Sequence, residues 1–454
     1  MRILFLFPAL TLAACGAKDA GEEFPAGTPT WYQDVAPIAS ENCVNCHNEG
    51  GIASFLDLGE YDQAKAWASL IQAKVESLEM PPFLAADTPE CNNEWGFMHD
   101  KRLAISDIST IAAWVEAGSP EGDPQTAAET TIPPVVHIAR IDQELSPVTA
   151  YTTRPSSEIE DELICFVLDP QLASTRFLEG FEPTPDNLDV THHMVVNTAT
   201  RAEANAMDAA DGKVDGIYDC FGGTGASGPL IGGWVPGTGP TLYPNQSALP
   251  VSPEEVFVVQ MHYHNVPTAE TDRSGMQLQW SDSAPEKLIY VELIGNASDA
   301  ADGLQPGPND PGEPAFFIPA GAKRHTEISR HSVPIPEGEE YSIFMVVPHM
   351  HYVGVEMRAW IERADGTPGP CLVHTPAWDF DWQLFYYYDA AADNAPITRA
   401  GDTLVLECTY DNTTDNEGVQ RIMAEHGLNE PQDVVLGDGS LFEMCILAVG
   451  AIPR

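Results

Sequence analysis

The sequence predicts a mixed multidomain protein: a small all-α domain followed by two all-β, jelly-roll-like sandwiches. Three observations carry that expectation. Between Trp31 and Gly122 apolar residues recur at helical spacing. From Pro134 onward, short alternating runs such as LICFVL, EVFVVQMHYH, EEYSIFMVV and DTLVLECTY recur between clusters of Gly, Pro, Asn and Asp, the texture of many short strands. Between the two textures lies SPEGDPQTAAETTIPP, a linker by composition.

The chain opens with Arg2 and an apolar run from Ile3 to Ala14, too short to span a bilayer as a mature helix. It ends in Leu12-Ala13-Ala14-Cys15-Gly16, which resembles a bacterial lipoprotein lipobox. The resemblance implies cleavage before Cys15 and acylation of its thiol. The alternative is an ordinary secretory signal cut nearby, and either way the mature chain is exported, to the periplasm or the cell surface. Residues 1–15 are thus assigned as signal peptide with lipobox Cys15, and the small, acidic stretch 16–30 as a tether. No later segment reaches the apolar length needed to cross a membrane, so contact with one is expected only through the lipid anchor.

Residues 31–122 form the helical unit. Ala64, Trp67, Ile71 and Val75 fall on one helical face, in a helix that stops before Met80-Pro81-Pro82. A second helix opens at Ser106-Asp107, carries Ile108, Ile111, Trp114 and Val115, and closes at Gly118. After the linker at 123–133, about 320 residues remain, too many for a single sandwich of ordinary size. They divide into sandwiches at 134–284 and 285–454, with the Gly- and Pro-rich stretch from Ala300 to Pro314 as a nearby long loop.

With 68 Asp and Glu against 21 Lys and Arg, the formal net charge is -47, which argues against nucleic acid and anionic membrane surfaces as partners. The acids are scattered, as on a solvated surface. Of nine cysteines, Cys15 is the anchor, and Cys43 and Cys46 belong to a Cys43-Val44-Asn45-Cys46-His47 segment. That segment matches the c-type haem attachment signal: two thiols add across the haem vinyl groups, and the adjacent His47 reaches the iron. A zinc site would want a second CxxC or HxxxH nearby, and a redox pair a βαβ context. Met80, in the LEMPPF turn, is the expected second axial ligand, with Met98 and His99 as rivals. From WYQDVAPIASENCVNCH through MPPF to IAAWVEAGSPEGDP the stretch resembles the small cytochrome c domains of exported bacterial proteins. Spacing leaves the pairing of Cys91, Cys165, Cys220, Cys371, Cys408 and Cys445 open.

The 13 histidines include three small clusters. On a strand, residues two apart share a face, so His349 and His351 can grip one metal while Met350 points away; His262 and His264 could do the same. His192 and His193 are adjacent and can act together only where the backbone bulges or turns. Imidazole sets suit copper, zinc or iron, and an added thioether points to copper.

In order along the chain, THHMVV, VVQMHYHNVP, VVPHMHYVGVEM, LECTYDNTT and LFEMCILAVG resemble the copper type II, ascorbate-dependent monooxygenases, the family of dopamine β-monooxygenase and peptidylglycine α-hydroxylating monooxygenase. The resemblance covers roughly Ile132 to Pro453. It implies two coppers, one per sandwich, facing across a cleft. His192, His193 and His262 match the ligands of an electron-transfer copper; His264 stands where some members have a non-ligating His. His349, His351 and Met444 match the ligands of the copper that meets dioxygen, and Gln260 a glutamine between the metals. The resemblance also implies disulfides Cys165–Cys220 and Cys408–Cys445, leaving Cys91 and Cys371 to pair across domains or stay free. Leu163-Ile164 departs from an aromatic pair in the animal enzymes, which also carry more disulfides.

The expected activity is hydroxylation of an activated C–H bond of a small organic substrate with O2. It needs two copper ions, one covalently attached haem c, and a donor that reduces the haem. Rival readings are a haem and copper electron carrier without C–H chemistry, and a copper-binding lipoprotein. DAADGKVDG (Asp208 to Gly216) reads as an acidic loop without the closing Glu of a calcium site. WDFDWQLFYYYD (Trp378 to Asp389) reads as core packing rather than as a substrate wall.

Overall fold

The computed structural model describes Pro25 and residues 27–454, apart from 158–160, 221–222, 245, 265, 297–302, 308–309, 311–312, 392–393 and 438. Cys15, the apolar run before it and most of the tether lie outside the described residues. Strand dominates, in several sheets, and among the described residues no helix is long and apolar enough to cross a membrane.

Helices come first along the described chain. A turn at Trp31–Val35 leads into a helix at Ala36–Asn42, followed by helices at Tyr61–Ala66, Ala68–Glu76 and Ile105–Glu116. They enclose Trp31, Val35, Leu56, Leu58, Ile111 and Trp114. The single helix expected to carry Ala64 through Val75 is two, because the backbone opens at Trp67 (ψ 8°). The break takes Trp67 out of the buried face and puts Ala68 into it. The second helix starts at Ile105, a residue ahead of the expected Ser106. The linker contains one 3-10 turn, Pro124–Thr126, capped by the Asp123 carboxylate.

Two pairs of sheets follow. In the first pair, a five-stranded sheet orders Ile217–Asp219, Asp161–Leu168, Glu255–His264, Thr191–Thr200 and Leu230–Trp234. A six-stranded sheet around Arg176–Thr184 and Gly275–Trp280 packs against it. Alternation sets the faces. Met194, Val196, Phe257, Val259, Met261 and Tyr263 enter the core between the sheets. His193, Val195, Gln260 and His262 therefore stand on the outer face of the five-stranded sheet.

The second pair repeats the arrangement. Tyr290–Asn296, Cys445–Pro453 and Glu340–His349 run side by side in one sheet, and His325–Ser332, Thr403–Tyr410, Gly354–Glu362 and Pro368–Thr375 form the other. Val346, Leu447 and Val449 lie in the core of this second pair. Their alternates Val347, Ile446 and Ala448 face the first pair, and Val347 and Ala448 join its apolar cluster. Sheet membership passes from the first pair to the second between Leu288 and Tyr290, a few residues past the expected 284/285 division.

Among the described residues three disulfides form. Cys165–Cys220 and Cys408–Cys445 are the pairs implied by the resemblance, with Cα atoms 5.8 and 5.9 Å apart. Cys91 pairs with Cys371, across 280 residues of sequence. It fastens the segment after Met80 to the second pair of sheets. There Ala86 N–H donates to the His374 carbonyl (2.9 Å), and Phe97 stacks on Tyr388.

Candidate metal centres

The strands Thr191–Thr200 and Glu255–His264 pair antiparallel, His262 opposite His193, but Tyr263 falls opposite Thr191. His192 is the extra residue of a bulge. The bulge turns two adjacent imidazoles toward one point, which a regular strand forbids. His192 Nδ1 lies 3.2 Å from His262 Nδ1, which lies 3.3 Å from His193 Nδ1. Three nitrogens around one tetrahedral metal at about 2.0–2.1 Å would sit about 3.3 Å apart, so the spacing fits a bound ion. Burial pushes all three imidazoles below their ordinary range: His192 to about 3, His262 to about 4, and His193 in the same direction with His262 adding to it. They are therefore neutral at physiological pH, the state that binds metal. His264 is exposed and is not one of the triad, though its charge is felt by His192 and His262.

His349 ends its strand, Met350 turns into the core, and His351 follows in the turn, so only the first of the pair lies on regular strand. The two imidazole centroids are 5.2 Å apart. His349 Nδ1 is 2.8 Å from Gln383 Oε1, and His351 Nδ1 is 3.0 Å from the Phe442 carbonyl. Both oxygens only accept, so both Nδ1 atoms carry the hydrogen and each Nε2 is left as a lone-pair donor. The Gln383 orientation is fixed from the other side, where its Nε2 donates to the Phe380 carbonyl. Burial pushes His349 down to about 3, His351 adding to the effect.

Met444, buried, precedes the strand Cys445–Pro453. Glu443 ties it to the histidine turn. One carboxylate oxygen accepts from His351 and Met444 N–H (2.8 and 3.1 Å), the other from Val353 and Gly354 N–H (2.7 and 3.2 Å). Burial pushes this carboxyl up to about 7, and the four N–H groups pull the other way. Tyr410 donates its hydroxyl to the Met444 carbonyl at 2.8 Å.

Both clusters open on one cleft of about 280 Å³, with His193 and His262 on one wall and His349, His351 and Met444 on the other. The aromatic run after Trp378, expected as core packing, divides. Tyr386 and Tyr388 are core residues. Phe380 lies 6.4 and 6.1 Å from the rings of His349 and His351, and Trp382 lies 5.9 Å from His192. Gln260 lines the cleft with its amide nitrogen on the Cys220 carbonyl, 2.8 Å away. Gln383 and Glu443 were not singled out by the sequence reading. Glu443 stood inside the Glu-Met-Cys motif, and Gln383 was hidden in the aromatic run.

In the CVNCH segment the chain continues one helical turn beyond Ala36–Asn42: Cys46 and His47 N–H both donate to the Cys43 carbonyl. Cys43 and Cys46 are unpaired thiols, and burial beside Cys46 pushes Cys43 up to about 12. His47 Nδ1 is buried without a hydrogen bond of normal geometry. Two free thiols a turn apart and an imidazole whose Nδ1 makes no hydrogen bond of normal geometry are the donor set a covalently held haem requires, so the residues fit the group. Met80 is half-buried, its N–H on the Lys74 carbonyl. Met98 is exposed and its N–H is held by the Tyr387 carbonyl, and the His99 ring lies against Gly239.

The CVNCH segment lies close to the turn after the strand Leu230–Trp234. Asn45 bonds to the Pro133 carbonyl, and Lys101 Nζ donates to the Gly237 carbonyl. A Cβ on Gly237 would sit 3.3 Å from Cys46 Sγ. Gly237 lies just past the strand Leu230–Trp234, in which Trp234 pairs with Met194, the neighbour of His193. Asp208, in the acidic loop, is buried and accepts from Gly216 N–H.

No family model matches the chain, and no curated protein matches it. Among solved structures it is similar to the VP2 subviral particle of infectious bursal disease virus, at 11% identity over 71% of this chain and 74% of that one, with a TM-score of 0.19. A mutant VP2 of the same virus gives 10% identity over 73% and 81%, with a TM-score of 0.12.

Proposed function

We propose that the chain is an exported, lipid-anchored copper monooxygenase of the type II class joined to a c-type cytochrome domain, and that it hydroxylates an activated C–H bond of a small organic substrate with O2. One observation carries the reading: three imidazoles and a two-imidazole, one-thioether set share a single cleft. Bound there, copper would exchange single electrons at the nitrogen-rich set and engage dioxygen at the softer one, while haem c at Cys43, Cys46 and His47 would supply the electrons.

The chain's own groups prepare these roles. Gln383 and the Phe442 carbonyl hold the Nδ1 hydrogens of His349 and His351, leaving both Nε2 lone pairs for a metal. Glu443 fixes the backbone on both sides of that site, and the Cys408–Cys445 bridge anchors the strand behind Met444. Cys46 lies close to the Gly237 turn, from which a few residues of chain and the pairing of Trp234 with Met194 lead to the strand of His193. Three disulfides suit an oxidising compartment outside the cytoplasm. A relay without C–H chemistry would have no use for a cleft with apolar walls between the two sets.

The test is copper and iron per chain, by elemental analysis of protein matured with haem and dialysed against copper. Two coppers and one iron, with about one copper lost in His351→Ala, sustain the reading. One iron and no tightly held copper would leave only the cytochrome.

A further inference from the structure

The cleft is more selective than its metals require. One residue in five of this chain is charged, yet among the described residues lining the cleft none is Lys, Arg, Asp or Glu. Away from the histidines and Met444 its walls are apolar, formed by Leu163, Val195, Leu293, Phe380, Phe385 and Ile446 among others. Their neutral polar companions already have protein partners: Gln260 on Cys220, Asn197 on Gly228, Gln383 on His349.

Two carboxylates beside the cleft are engaged by protein groups, although the Asp381 charge also reaches His262. Glu443 directs both oxygens at four backbone N–H groups behind the His351 turn. Asp381 is paired with Arg421 at 3.1 Å. Among the described lining residues a ligand ammonium would therefore meet no unpaired carboxylate, and a ligand carboxylate no cation. Moving an unpaired charge from water into such walls is strongly unfavourable, whereas an apolar or aromatic body gains from them. Leu293 extends the apolar wall to the rim, where it is 60% exposed, on the strand Tyr290–Asn296.

We propose that the cleft selects an uncharged, largely apolar substrate with an aromatic or comparably bulky hydrocarbon body, and discriminates against amines and carboxylic acids of the same shape. The identity of the substrate class rests on the monooxygenase reading; the binding preference belongs to the cleft walls and can be measured apart from it.

The experiment is equilibrium dialysis of the haem-loaded full chain, with and without copper, against 2-phenylethanol, 2-phenylethylamine and phenylacetate at pH 7. These three share a shape and differ in charge. The expected result is binding of 2-phenylethanol about tenfold or more tighter than of either charged analogue, in the copper-free chain as well. Leu293→Asp, a change at the exposed rim that the fold can accept, should weaken the alcohol and strengthen the amine. Equal or tighter binding of the amine or the acid by the unaltered chain overturns the proposal, as does no binding of any of the three. A neutral preference that Leu293→Asp leaves untouched places the binding elsewhere and overturns the assignment to this cleft. Because copper content is counted separately, failure of the metal reading and failure of the wall preference give different patterns.

Discussion

Gln383 makes a contact whose removal should be felt at one metal and nowhere else. Its Oε1 accepts the Nδ1 hydrogen of His349 at 2.8 Å, and its Nε2 is braced by the Phe380 carbonyl. In Gln383→Leu the side-chain volume is nearly kept, but His349 loses the acceptor that sets its tautomer. The imidazole can then move its hydrogen to Nε2, the atom that must be free to bind copper, and its ring is no longer held in plane. Outer partners of metal-bound histidines are worth about 10–100-fold in metal affinity, or about 1.4–2.7 kcal/mol. Copper at the His349, His351, Met444 set should weaken by that factor. Gln383→Glu, which keeps an acceptor in the same place, should restore most of it. The assay is Cu(I) competition with a chromophoric chelator in a His193→Ala background, where only this set can bind. Unchanged affinity in Gln383→Leu would refute the argument that the amide orients the ligand.

Other perturbations follow from the same contacts. Glu443→Gln converts one accepting oxygen into a donor facing two N–H groups, and should cost about 1–3 kcal/mol by urea unfolding, offset in part by removal of a buried charge, while weakening the same copper. Replacing Cys91 and Cys371 together by Ser opens a loop of 280 residues and should lower stability by about 5–6 kcal/mol in the chain-entropy picture, read from denaturant midpoints. A loss below about 1 kcal/mol would show that the bridge only decorates contacts already formed. Gly237→Val places a branched side chain at φ +79°, against Lys101 and Cys46 Sγ, and should destabilise by about 1–3 kcal/mol while slowing haem-to-copper electron transfer in anaerobic stopped flow.

Much of the site was legible because its ligands are local. Alternation on strands and the adjacency of His192 and His193 already demanded a bulge or a turn, and the register shift opposite Tyr263 supplies the bulge. Met350 turns inward between His349 and His351 as expected, although the strand ends at His349 and His351 lies beyond it. What sequence could not give were partners brought from far away along the chain. Gln383 reaches His349 across 34 residues, and Glu443 reaches the His351 turn across 92, through contacts that depend on packing and leave no periodic trace. The Cys91–Cys371 pair was left open for the same reason, since it depends on how the post-Met80 segment docks on Tyr386 and Tyr388. The aromatic run at Trp378 was read by composition alone, which cannot separate the rings that fill a core from those that flank a histidine. Local backbone also had the last word at Trp67, where an opened turn split one expected helix into two.

The central claim is that haem and copper sites work as one device on dioxygen. Its most direct test is to reduce the haem fully, load both copper sets anaerobically, remove excess reductant, and mix with oxygenated buffer while following the haem spectrum. The account predicts rapid reoxidation that requires copper and is abolished by His193→Ala, because electrons leave the haem through that copper. Haem that stays reduced, or reoxidises at the same rate without copper, would contradict it.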